Sequence, residues 1–262
     1  MNGVLITFRI LTSFYPLYIA TLNIAGDVPG VAVENLTGPQ TGCLHDYQAT
    51  PADLVRIAKA GAFIINGAGT ESFLDKVMNP ARIIDASAGI PLLDGNPHVW
   101  LNPAHAIRQV RNIEAALAAR DPDHAADYHR NADAYAAKLE TLNTIMHERL
   151  DTLPNRDIIT FHEAFPYLAD AFGLRIIAVI EREPGSEPGA RELADIIDTV
   201  HRTGVQALFV EPQYPSASAE TVARETGAKV YNLDPAVTGP MEKDAYVRIM
   251  EQNMQTLEKA LR

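Results

Sequence analysis

The dipeptide Asp121-Pro122 and the later Pro154 bracket the pattern that most constrains this chain. Aspartate followed by proline reads as a helix N-cap with proline at the first helical position, and Pro154 reads as the stop. Between them Tyr128, Ala132, Tyr135, Leu139, Leu142 and Met146 recur at alternating spacings of four and three, one continuous apolar seam along a helix. At about 1.5 Å per residue such a helix is roughly 45 Å long, the span of a whole small domain. Few folds accommodate it. Here it reads as a spine between two lobes.

The flanking segments support two lobes. Before the spine lie short β-branched and aromatic runs at Val4 to Phe8, Val31 to Leu36, Ala62 to Asn66 and Arg82 to Asp85; after it come Asp157 to Phe161, Arg175 to Ile180, Ala207 to Val210 and Lys229 to Leu233. Most are apolar almost throughout, as strands covered on both faces must be, and helical stretches separate them. The expected class is therefore α/β, two lobes with mostly parallel sheets. The lobes are expected at residues 1–120 and 154–262, with the linking helix at 121–153. The first twenty residues are apolar, but Arg9 and Pro16 interrupt them and no Ala-x-Ala site follows. They read as the first strand and helix of a mature domain, with any export signal lying outside the sequence. No stretch reaches the roughly 18 consecutive apolar residues of a membrane span.

Composition narrows the chemistry. With 22 Lys plus Arg against 33 Asp plus Glu, the net charge of −11 has the wrong sign for a partner bound through phosphates, which excludes nucleic acid as the expected ligand. The single cysteine, Cys43, rules out an intrachain disulfide and any Cys-rich zinc module. A metal site in this chain has to be built mainly from imidazole and carboxylate.

Of the eight histidines, His105, His124, His129, His147 and His201 fall in helical segments rich in charge and small residues, where solvated surface positions are expected. The other three fall in loops or at strand ends: His45 in TGCLHDYQATP, His98 in GNPHVWLNP and His162 at the end of DIITFH. In open parallel sheets ligands bind beyond the carboxyl ends of the strands, so these positions, together with Asp234 in VYNLDP, are where a site is expected. Three imidazoles and a carboxylate suit a tetrahedral zinc site, whereas Ca²⁺ or Mg²⁺ demands more oxygens. The four are 53, 64 and 72 positions apart, so spacing alone does not separate a metal site from unrelated loop and core histidines. Glu211 in VEPQ ends another strand, as an alternative carboxylate ligand or an acceptor orienting a histidine.

The segments TSFYPLY with NIAGD, HDYQATPADL, NGAGTESFLDK, NPHVWLNP, TFHEAFPYLADAFGL, EREPGSEPG, LFVEPQYP and NLDP follow one another through nearly the whole chain. In that order they resemble the metal-binding solute-binding proteins of bacterial ABC importers, the zinc and manganese group. NPHVWLNP and HEAFPYLADAFGL carry the resemblance most specifically. It implies two lobes joined by the spine helix, a metal site in the cleft between them, and His45, His98, His162 and Asp234 as ligands. It also implies an extracytoplasmic protein, periplasmic or lipid-anchored, that acts as a monomer and passes its ion to the membrane permease without catalysing a reaction. In the group the third ligand is histidine in zinc members and glutamate in manganese members, so His162 points to Zn²⁺, with Mn²⁺ the alternative. The chain departs from many zinc members in lacking a His- and acid-rich loop between Asp85 and His98. Cys43, two residues before His45, reads either as a small apolar loop residue or as a thiolate ligand.

Two rival readings follow from the same residues. A zinc hydrolase would use Glu163 or Glu211 as general base on a metal-bound water. A binding protein for an organic chelate would need a broad cleft lined by aromatic or Arg residues, and the chain has one Trp and no Arg cluster near the candidate ligands.

Overall fold

The computed structural model of the chain describes residues 7–38, 41–44, 47–73, 82–180 and 188–262. Its contacts divide it into two units, Met1–Leu142 with Ala236–Val247, and Asn143–Pro235 with Arg248–Arg262.

The first unit runs β1 (Phe8–Thr12), α1 (Tyr15–Ala25), β2 (Val31–Asn35), α2 (Pro51–Lys59), β3 (Ala62–Ile65), β4 (Ile83–Asp85) and α3 (Pro103–Arg120). Its four strands pair in parallel in the order β2-β1-β3-β4. The first strand lies further along than the expected Val4 to Phe8, of which Val4 to Ile6 fall outside the described residues. The reason is Arg9: a charge inside the segment breaks the apolar run, yet in the strand its guanidinium reaches Glu34 of β2 at 2.8 Å and stays exposed, while Ile10, Leu11 and Thr12 are buried. Pro16 is equally harmless. It stands in the first turn of α1, where its missing N–H has no helical partner to lose.

The second unit holds β5 (Asp157–Thr160), α5 (Pro166–Ala171), β6 (Arg175–Val179), α6 (Ala190–Thr203), β7 (Ala207–Val210), α7 (Ala217–Thr226), β8 (Lys229–Asn232) and most of the closing helix α8 (Ala245–Leu261). Its sheet is again all parallel, in the order β6-β5-β7-β8, which is the order of the first sheet with the strands renumbered. A core of Ile159, Phe161, Val200, Leu208 and Val222 fills the space between β5, β7 and the helices α6 and α7. In each unit the strand order reverses at one place, between β1 and β3 and between β5 and β7. Those switch points are where the ends of neighbouring strands splay and leave room for polar groups.

The long helix α4 covers Ala125–Leu150, 26 residues and about 39 Å, with its beginning in the first unit and its end in the second. It starts later than the Asp121-Pro122 cap predicted, because Pro122–His124 form a separate 3-10 turn. Asp121 instead accepts hydrogen bonds through Oδ2 from the Tyr128 hydroxyl at 2.6 Å and pairs with His124 Nδ1 at 2.8 Å. All six seam residues are buried, none more than 3% exposed. No helix among the described residues is long and apolar enough to cross a membrane.

Candidate metal centre

In the first unit the motif NPHVWLNP folds as a chain of local constraints around His98. Asn96 Oδ1 accepts from the backbone N–H of His98 and also lies 3.0 Å from its ring Nδ1. Val99–Leu101 then make a fully buried 3-10 turn, with Trp100 edge-on to Phe14 and its carbonyl accepting from the Tyr246 hydroxyl at 2.6 Å. Asn102 caps α3 by accepting from Ala104 N–H, and Pro103 begins the helix. His98 is thus held by a turn that is anchored on both sides, and it is buried.

Beneath that turn, the switch point between β1 and β3 carries a polar knot. Asn66, just past β3, donates from Nδ2 to the Pro97 carbonyl at 2.9 Å and accepts on Oδ1 from Gln109 of α3 at 2.9 Å. Glu71 accepts from Ser13 Oγ at 2.7 Å, from Asn66 N–H at 2.7 Å and from Gly67 N–H at 3.1 Å. Burial pushes the Glu71 carboxyl up to about 7, against the opposing pull of those three donors. Gly67 is obligatory: its φ is +74°, and a Cβ there would lie 2.1 Å from Asp85 Oδ1. In the sequence NGAGTESFLDK contributes only to the family resemblance, and nothing in its spacing marks these residues for a role. A signal was present in Asn-Gly directly after a buried strand, which marks a tight turn at a sheet end.

The loop after β2 brings Cys43 to the same place. Leu44 is buried in the unit, and on the far side Tyr47 donates to Asp53 Oδ2 at 2.9 Å and stacks edge-on against Phe73. Directly before Leu44, Cys43 Sγ lies 3.6 Å from His98 Nε2. His45 and Asp46 lie outside the described residues.

In the second unit the switch point between β5 and β7 carries His162 and Glu211, each just past the end of its strand. His162 Nδ1 lies 3.0 Å from Glu211 Oε1, and the two side chains are 2% and 0% exposed. Burial raises the Glu211 carboxyl above its ordinary value, partly offset by the bond and charge of His162 and reinforced by the nearby negative Asp234. The second oxygen, Glu211 Oε2, is buried and has no hydrogen-bond partner among the described residues. Asp234, past the end of β8, is half-buried. Its Oδ1 accepts from Gln213 Nε2 at 3.0 Å, and its backbone is clamped by the buried Asn253 of α8, which accepts from Asp234 N–H and donates to Asp234 carbonyl. Glu163, next to His162, is exposed.

Both described candidate histidines therefore share one device. A proton on Nδ1 held by an oxygen leaves the lone pair on Nε2, the atom that ligates a metal. For His98 the oxygen belongs to Asn96, and for His162 to Glu211. Of the five helical histidines, His129 and His201 are exposed as expected, whereas His105, His124 and His147 are half-buried, His124 paired with Asp121 and His147 with Asp151.

Buried imidazoles oriented in this way, at the carboxyl ends of parallel strands, define a metal-binding protein of α/β class. The family described as zinc-uptake complex component A, periplasmic, matches residues 10–260. The iron-binding protein YfeA of Yersinia pestis is 30% identical over 96% of this chain and 86% of its own. The high-affinity zinc uptake system protein ZnuA of Bacillus subtilis is 31% identical over 97% of this chain and 87% of its own. Among solved structures, FpvC of Pseudomonas aeruginosa in complex with Mn²⁺ aligns with a TM-score of 0.87 at 32% identity, covering 97% of this chain and 98% of that one. The chain belongs to the zinc-uptake component A family of solute-binding proteins. It is an extracytoplasmic divalent-metal-binding component of an ABC uptake system, not a catalyst, and the hydrolase reading of Glu163 and Glu211 is set aside.

Proposed function

We propose that the cargo is Zn²⁺, ligated by the imidazoles of His45, His98 and His162 with the Asp234 carboxylate, and delivered by the monomer to the membrane subunits of its permease. The observation that carries this reading is the pairing of each described histidine's Nδ1 with an oxygen, Asn96 for His98 and Glu211 for His162. A nitrogen-rich, four-coordinate set favours borderline-soft Zn²⁺ over oxygen-preferring Mn²⁺. The proteins named above are described with iron, zinc and manganese, so membership of the family leaves the ion open, and it is the donor chemistry that supports Zn²⁺.

Elemental analysis of the purified protein, followed by competition between Zn²⁺ and Mn²⁺ at equal free concentration, tests the assignment. Zinc is expected at one equivalent and in excess over manganese. Equal or preferred retention of manganese would overturn it.

A further inference from the structure

Cys43 is a donor beside His98 that the proposed ligand set leaves unused. Its Sγ lies 3.6 Å from His98 Nε2, the nitrogen that the Asn96 contact commits to metal binding. That distance has a specific meaning. With Zn–S near 2.3 Å and Zn–N near 2.0 to 2.1 Å, a tetrahedral angle at the ion places the sulfur and nitrogen about 3.6 Å apart. Cys43 and His98 thus already stand at the separation of two ligands on one zinc ion. Leu44, the residue directly after Cys43, is buried in the unit and anchors the backbone beside the sulfur.

Resting on the zinc reading above and refining it, we infer that Cys43 is a metal ligand that takes the fourth position when the ion is Zn²⁺. Asp234 then remains the acceptor of Gln213 Nε2 that it already is, and serves as the donor to harder ions. Before binding, the thiol proton faces the His98 Nε2 lone pair. As the ion enters, that proton leaves to solvent, and the thiolate and the imidazole each direct a lone pair to the metal. Thiolate donors favour Zn²⁺ over Mn²⁺ more strongly than a carboxylate does, so Cys43 adds to the selectivity that the imidazoles provide.

The test loads the full chain with Co²⁺, which reports a bound thiolate by a sulfur-to-cobalt charge-transfer band in the near ultraviolet. The wild type is expected to show the band at one equivalent of Co²⁺. In Cys43→Ser and Cys43→Ala the band disappears while one equivalent still binds, and the Zn²⁺-over-Mn²⁺ preference falls at least tenfold. Stoichiometric Co²⁺ binding without the band in the wild type would remove Cys43 from the ligand set and leave the histidine site standing. Failure of the wild type to bind Co²⁺ or Zn²⁺ at all would overturn the zinc reading and this inference together.

Discussion

Glu211 Oε1 holds His162 Nδ1 at 3.0 Å across the switch point of the second sheet, in a place where neither side chain reaches solvent. An ionised carboxylate in that position fixes the ring's tautomer and makes its Nε2 a better donor, and removing such a partner typically weakens metal binding 10- to 100-fold. Glu211→Gln is therefore expected to weaken Zn²⁺ binding by about that factor, and His162→Ala by at least about tenfold as a lost ligand, both read by competition with a chromogenic chelator. Unchanged affinity in Glu211→Gln would mean that the His162 ring is oriented by something else.

Asn66 makes the corresponding link in the first unit, between the end of β3, helix α3 and the turn that presents His98. Asn66→Ala removes a buried donor to the Pro97 carbonyl and a buried acceptor from Gln109. Each orphaned group costs about 1 to 3 kcal/mol. The expected loss on chemical denaturation is about 2 to 4 kcal/mol, accompanied by weaker zinc binding because the His98 turn is no longer held. A variant that loses stability but keeps wild-type affinity would show that the 3-10 turn positions His98 unaided.

What could be read from the sequence was whatever repeats along the chain. The strands announced themselves by apolar runs, and the spine by its four-three seam, because burial imposes a period on side chains that are neighbours in sequence. The first strand was misplaced where that logic fails: Arg9 sits in a strand because of Glu34, a partner 25 positions away. His98, His162 and Asp234 were legible as strand-end or motif residues. Asn96, by contrast, was hidden inside its own motif, and Asn66, Glu71 and Asn253 act only through contacts that the topology creates, such as Asn253 on Asp234. No local spacing encodes them.

The spine seam itself makes a stability prediction. Leu139 is fully buried on α4, while Ile145, on the same helix, is 38% exposed. Leu139→Ala should cost about 2 to 5 kcal/mol through lost apolar burial and the cavity left behind. Ile145→Ala, away from the seam, is expected within about 0.5 kcal/mol of wild type. Chemical denaturation of both variants measures the contrast, and similar costs at the two positions would contradict the face assigned to the helix.

Glu71 gives the fold a pH dependence of definite sign. Burial lifts its carboxyl to about 7 in the native chain, against an ordinary value of 4.5. Between those limits the native state keeps a proton that the unfolded chain has released, so raising the pH through this window lowers the stability. The contribution is fully present below pH 4.5 and spent above 7, and at about 1.4 kcal/mol per pH unit it amounts to roughly 3 kcal/mol. Glu71→Gln, neutral at every pH, loses this component. It also turns an amide N–H toward donors such as Gly67 N–H, which lowers its stability by an amount independent of pH. Unfolding free energies measured from pH 4.5 to 8 should therefore show the wild type losing up to about 3 kcal/mol relative to the variant as the pH rises. Parallel curves would mean that Glu71 titrates in the native protein as it does in the unfolded chain.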